Sequence, residues 1–206
     1  DFFAGSSDEN DYNAVYRNDG GGDFTVVWYS IELRSTVCAA WGDVDNDGDL
    51  DFIAGNTANS NRAYRNEGDD TFPASWTSSA GNDTTSIDFA DFDGDGDIDF
   101  LATNDGAPDR LYSNSGSHSF PLTWSLTSSD STADAVAADF DKDGDFDFLQ
   151  ALNGGALNTY SNDGDGDFAL VWSSSETDST TAVRAGDHDS DGDTDVLVAN
   201  ASSGND

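Results

Sequence analysis

Four nine-residue runs share the form D-x-D-x-D-G-D-x-D: DVDNDGDLD at 43–51, DFDGDGDID at 91–99, DFDKDGDFD at 139–147 and DHDSDGDTD at 187–195. Carboxylates on alternate residues around a glycine can curl toward one point, which suits a hard divalent cation taking roughly six to eight oxygens. The expected ligands are the carboxylates at positions 1, 3, 5 and 9 and the backbone carbonyl of position 7. The position-7 carboxylate adds negative potential whether or not it touches the ion. The candidate set is therefore Asp43, Asp45, Asp47, Asp49 and Asp51; Asp91, Asp93, Asp95, Asp97 and Asp99; Asp139, Asp141, Asp143, Asp145 and Asp147; and Asp187, Asp189, Asp191, Asp193 and Asp195. Glycine at position 6 (Gly48, Gly96, Gly144, Gly192) permits the sharp turn an L-residue resists. Plain solvated turns do not account for five aspartates repelling one another in nine residues, four times over. Calcium, about four ions, is favoured over magnesium, which keeps several of its waters.

The elements that must position these loops also repeat. The first aspartates, Asp43, Asp91, Asp139 and Asp187, are spaced by 48 residues, as are Trp28, Trp76, Trp124 and Trp172. Phe24, Phe72, Phe120 and Phe168 follow the same step, as do Tyr16, Tyr64, Tyr112 and Tyr160, and Asn18, Asn66, Asn114 and Asn162. A fixed period of this size signals an array of one supersecondary unit. In the second unit, alternating apolar and β-branched residues predict strands at Ser86–Ala90, Phe100–Asn104, Arg110–Asn114 and Phe120–Leu126. Four short strands per period, with no helical periodicity, predict an all-β protein: a β-propeller of four-stranded blades.

The ends cut this register. Asp1-Phe2-Phe3-Ala4-Gly5 matches Asp51-Phe52-Ile53-Ala54-Gly55, and the segment from Asp195 to Asn200 is the same strand again. The expected divisions are a partial blade at 1–35, blades at 36–83, 84–131 and 132–179, and a partial blade at 180–206. This predicts an open window on a longer array, or a subunit completed by other copies; a closed four-bladed ring is the alternative. Completion between copies would join Ala182–Asp187 and Val196–Asn200 to the first strands of a neighbour, as unpaired strand edges recruit other chains.

The loops share their first half with an EF-hand loop but lack its position-12 glutamate, having Ala54, Ala102, Gln150 and Val198 there. With small residues ahead of the loop (Trp41-Gly42, Phe89-Ala90, Ala137-Ala138, Ala185-Gly186) and an FIAGN/FLATN strand after it, the pattern resembles the FG-GAP/VCBS repeats of integrin-type β-propellers. The resemblance covers essentially the whole chain, although the "FG" signature is degenerate. It implies calcium in the loop between the first two strands of each blade, held by Asp43, Asp45, Asp47, Asp51 and their equivalents.

With 42 acidic against 7 basic residues and a net charge of −35, the 206-residue chain repels nucleic acid and anionic lipid, which excludes both as partners. The single cysteine, Cys38, permits no internal disulfide and reads as an inert small hydrophobe, and no apolar run reaches membrane-spanning length. The periodic tryptophans read as packing between blades on the outermost strand and the tyrosines as core, with Trp41 near the axis. His118 and His188 read as surface residues in turns. Asn82-Asp83-Thr84 and Asn200-Ala201-Ser202 match the glycosylation acceptor pattern. No catalytic constellation stands outside the aspartate loops, so no enzyme is expected. The reading is a secreted or cell-surface, calcium-stabilised propeller with a structural or adhesive role, such as a filament component. Its expected partners are calcium and other copies of itself, a cell-surface protein or a glycan. The alternatives are a carbohydrate-binding lectin or the calcium-propeller region of a polysaccharide-active enzyme.

Overall fold

The computed structural model describes residues 1–8 and 12–201. Ser202 of the second glycosylation triplet lies outside them. The described residues form seventeen strands and no helix. They are β1 (Phe2–Ala4), β2 (Ala14–Gly20) and β3 (Asp23–Tyr29), then β4 (Thr36–Gly42), β5 (Asp51–Asn56), β6 (Arg62–Tyr64) and β7 (Ala74–Thr77). Next come β8 (Asp83–Ala90), β9 (Asp99–Asp105), β10 (Arg110–Tyr112) and β11 (Leu122–Ser125), followed by β12 (Thr132–Ala138), β13 (Asp147–Leu152), β14 (Leu157–Asn162) and β15 (Phe168–Ser173). The last pair is β16 (Thr180–Gly186) and β17 (Asp195–Asn200).

Every pairing is antiparallel between chain neighbours, giving sheets of three, four, four, four and two strands. The first strands of successive sheets pack in series, β4 on β8, β8 on β12 and β12 on β16. The arrangement is open, with the three-stranded and two-stranded sheets at opposite ends of the series. Several strand ends differ from the sequence reading: β8 starts earlier, at Asp83, β9 runs one residue further at each end, and β10 and β11 are shorter. β10 stops at Tyr112 because the Asn114 amide turns away to Asp99, and β11 starts at Leu122 because Pro121 has no N–H to give the ladder.

The hydrophobic cores lie between sheets. Val44, Ile53 and Ala63 meet Ile87, Phe100, Tyr112 and Phe120 across one boundary, and Leu101, Leu111 and Phe92 meet Phe148, Ala135 and Tyr160 across the next. Within each four-stranded sheet a Phe–Tyr pair stacks across neighbouring strands: Phe52–Tyr64 and Phe100–Tyr112 at 4.8 Å, and Phe148–Tyr160 at 4.7 Å. The preceding tryptophan meets that pair edge-on, Trp76 lying 5.8 Å from Phe100 and 5.3 Å from Tyr112. Such contacts add about 0.5–1.5 kcal/mol each beyond burial. This places the periodic tryptophans between sheets. Trp172 is half exposed, since the sheet beyond it has two strands and brings no tyrosine against it. Trp41, on the first strand β4, packs on Phe52 and Phe72. Burial pushes the Cys38 thiol up to about 12, which keeps it unreactive.

Each sheet has two rims. The aspartate loops connect first and second strands at one. At the other, amides and hydroxyls clasp one sheet to the next. Asn13 Nδ2 donates to Thr36 Oγ1 (2.9 Å), which donates to Asn56 Oδ1 (2.7 Å). Thr84 Oγ1 lies 3.1 Å from both Asn61 Oδ1 and Asn104 Oδ1. At the third clasp Asp109 replaces the asparagine; its Oδ2 accepts from Thr132 Oγ1 (2.8 Å) and from Gln150 Nε2 (2.7 Å). Burial pushes the Asp109 carboxyl up to about 6 despite these bonds and a third from the Asn104 amide.

Candidate cation-binding loops

The loops are built almost identically. The glycine amide at position 6 donates to the position-1 carboxylate: Gly48 to Asp43, Gly96 to Asp91 and Gly192 to Asp187 at 3.0 Å, and Gly144 to Asp139 at 3.2 Å. One oxygen of position 3 accepts from the amide of position 5, and one oxygen of position 5 accepts from the amide of position 7, as in Asp95 to Asp93 (3.3 Å) and Asp97 to Asp95 (2.9 Å). Both position 4 and position 6 adopt left-handed backbone. Asn46, Gly94, Lys142 and Ser190 have φ of 59°, 69°, 65° and 64°, and Gly48, Gly96, Gly144 and Gly192 have φ of 94°, 93°, 104° and 88°. Two left-handed residues so close bend the chain tightly enough to turn carboxylates 1, 3 and 5 inward.

The position-9 aspartate ties the loop to its sheet. Asp99 Oδ2 accepts from the Phe92 amide (2.9 Å) and its Oδ1 from the Asn114 amide (2.7 Å). Asp51 does the same with Val44 and Asn66, and Asp147 with Phe140 and Asn162. All three are buried. Burial pushes the Asp99 carboxyl up to about 7 and raises those of Asp51 and Asp147 as well, against those hydrogen bonds. Asp195, which is not buried, is instead held down by His188. The next sheet also holds the loop, as Asn114 Nδ2 donates to Val44 O (2.6 Å) and Asn162 Nδ2 to Phe92 O (2.7 Å).

The carboxylates converge in threes. Ligand atoms of Asp43, Asp45 and Asp47 lie within 4.8 Å of one another, as do those of Asp91, Asp93 and Asp99 and those of Asp139, Asp141 and Asp147. Asp91 Oδ1 is buried without a hydrogen-bond partner. The side chains at position 7 take another course. A Cβ on Gly68 would lie 2.7 Å from Asp49 Oδ2, and Gly116 and Gly164 are crowded in the same way by Asp97 and Asp145. Asp97 also accepts from Asn46 of the preceding loop (2.8 Å), and Asp193 pairs with Lys142. In the fourth loop His188, Asp189 and Asp195 converge, and His188 is exposed as expected.

His118 departs from the sequence reading. It is not a surface residue: its side chain is inserted into the first loop, 9% exposed, with Nε2 3.0 Å from Asp45 Oδ2. Its counterparts one period away are Asp70 and Gly166, so the 48-residue pattern gives no sign of it. The one signal available is that 70, 118 and 166 are Asp, His and Gly, three types that tolerate the left-handed backbone all of them adopt.

Repeating antiparallel sheets in open series, each with an acidic loop between its first two strands, define a β-propeller-type repeat protein. The FG-GAP-like repeat model matches residues 43–102 and 91–150, together more than half of the chain, and the chain belongs to that family. Among solved structures it is similar to BBS1N in complex with ARL6DN, with a TM-score of 0.65 at 12% identity, over 96% of this chain and 57% of that one. It is also similar to the V. cholerae biofilm matrix protein Bap1, with a TM-score of 0.55 at 19% identity, over 93% of this chain and 32% of that one. The chain thus spans little more than half of the first and about a third of the second. None of the curated proteins matches it.

Proposed function

We propose that the chain is a non-enzymatic, calcium-stabilised propeller array that works outside the cell in a structural or adhesive role. The observation that carries the reading is the buried, partnerless Asp91 Oδ1 inside a converging set of carboxylates. A buried anionic oxygen without a donor is costly, and a bound cation removes that cost. The donor set of the second and third loops is all oxygen, the set hard calcium takes. There, Asp91, Asp93 and Asp99, and Asp139, Asp141 and Asp147, would hold the ion. The bound charge would offset the mutual repulsion of the loop and lock the turn between the first two strands.

The likeness to a biofilm matrix protein, with the strongly acidic surface, supports an extracellular setting where calcium is plentiful. The described residues contain no helix long and apolar enough to cross a membrane. The test is chelation. Melting followed by circular dichroism should shift sharply downward in EDTA, recover with calcium and recover poorly with magnesium. The same melting curve with and without chelator would refute the reading.

A further inference from the structure

His118 stands in the connection between β10 and β11, at φ 53°, and reaches across the sheet boundary into the first loop. Its Nε2 lies 3.0 Å from Asp45 Oδ2 and 3.6 Å from Asp51 Oδ2. Both ring nitrogens are nonetheless buried without a hydrogen-bond partner. The carboxylates are close enough but misaligned for an N–H···O bond. Polar atoms buried and unpaired are costly, and Nε2 is aimed at two carboxylates whose side chains are 14% and 2% exposed. Ligand atoms of all three residues fall within 4.8 Å of one another.

The second loop lacks this addition. A Cβ on Gly166, the counterpart of His118, would lie 3.9 Å from Asp93 Cβ and from Phe92 O. The same backbone position therefore abuts the second loop but offers it no side chain.

We propose that the first loop and His118 form a mixed imidazole–carboxylate centre across two sheets, holding a divalent transition-metal ion of the zinc class through His118 Nε2, Asp45 and Asp51. Calcium takes oxygen ligands, whereas imidazole suits zinc and its neighbours. Ligand atoms on a tetrahedral zinc-sized ion stand about 3.3 Å apart, and the separations of 3.0 and 3.6 Å from Nε2 bracket that value. The Val44 and Asn66 amides hold Asp51 in place, the supporting role that outer-shell donors play in metal sites. Asp45 also belongs to the Asp43–Asp45–Asp47 set, so an ion on His118 draws one carboxylate from the all-oxygen arrangement. The inference does not depend on calcium in the other loops.

The experiment is a titration of the metal-stripped 206-residue protein with cobalt and zinc in excess calcium. Cobalt should give the visible absorption of a nitrogen-containing site, at one equivalent. His118→Gln should weaken that binding at least about 10-fold, as even outer-shell changes cost this much, and Ser119→Ala, at an exposed neighbouring position, should leave it unchanged. Retained affinity in His118→Gln, or an equal loss in Ser119→Ala, would overturn the proposal and leave His118 as a space-filling side chain. Should His118→Gln fail to fold, cadmium-113 NMR of the unaltered protein decides. One resonance in the nitrogen-and-oxygen range supports the centre, and cadmium signals confined to the all-oxygen range refute it.

Discussion

The two rims of each sheet solve the same problem, joining one unit to the next, with opposite chemistry. At the clasp rim, neutral amides and hydroxyls satisfy one another, as at Asn13–Thr36–Asn56 and Asn61–Thr84–Asn104. At the loop rim, carboxylates crowd together and at Asp91 leave a buried oxygen unpaired. The clasp asparagines and threonines find protein partners, whereas Asp91 Oδ1 at the loop rim finds none. The third clasp is the informative exception. It carries a buried acid, Asp109, and meets it with three donors, the Thr132 hydroxyl, the Gln150 amide and the Asn104 backbone amide. A single carboxylate is manageable with protein hydrogen bonds, whereas a converging set is not.

The sharpest break should come where the loop rim uses protein bonds as well. Asp99→Ala strips two buried amides, those of Phe92 and Asn114, of their acceptor. At roughly 1–3 kcal/mol per orphaned group, about 2–6 kcal/mol should be lost in total. Urea denaturation should show most of that loss even in EDTA, because the acceptor role needs no ion. A loss confined to calcium-containing buffer would mean that Asp99 acts only as a ligand.

Asp93→Ala separates the roles in the other direction, since its carboxylate accepts from the local Asp95 amide and the Ser113 side chain, whereas the amides that tie the loop to its sheet go to Asp99. It should remove one calcium equivalent by calorimetry and cost about 2.7 kcal/mol when calcium is a hundred times the dissociation constant, with little change in EDTA. An unaltered stoichiometry would remove Asp93 from the ligand set.

At the clasp rim the handle is pH. The folded carboxyl of Asp109, at about 6, is raised above its unfolded value, so the folded state binds that proton more tightly. Its contribution to stability is therefore present below the unfolded pKa, about 4, and is lost as pH rises through the folded value, a change of roughly 2–3 kcal/mol. Asp109→Asn should flatten the dependence over that window in EDTA, measured by urea midpoints; an unchanged profile would assign the dependence elsewhere. Thr84→Val, the mildest change, removes one clasp hydroxyl and should cost about 1 kcal/mol, equally with and without calcium. A chelator-dependent cost would show that the rims are coupled.

The all-β class and the run of four-stranded antiparallel sheets were legible in the sequence because a 48-residue period repeats hydrophobic spacing and turn chemistry together. The aspartate loops stand out in the sequence for the same reason, and the structure brings carboxylates 1, 3 and 5 together in the first loop and 1, 3 and 9 in the second and third. Two things were not legible. The clasp rim is assembled from residues far apart in sequence, such as Asn61, Thr84 and Asn104, whose meeting depends on how sheets abut. Thr36, Thr84, Thr132 and Thr180 do recur at the period, but a periodic threonine in a strand usually means only β propensity. His118 was hidden because it occurs once. Periodicity averages over copies and discards what distinguishes one of them.

The amides of Asn114 and Asn162 that fasten Val44 and Phe92 reach back 70 residues. During synthesis, a loop leaves the ribosome before the residue that secures it has been made. At about 5–20 residues per second, the wait is roughly 4–14 seconds. Growth from the N-terminus therefore carries the first acidic loop unfinished until Asn114 is made, and the second until Asn162 is made.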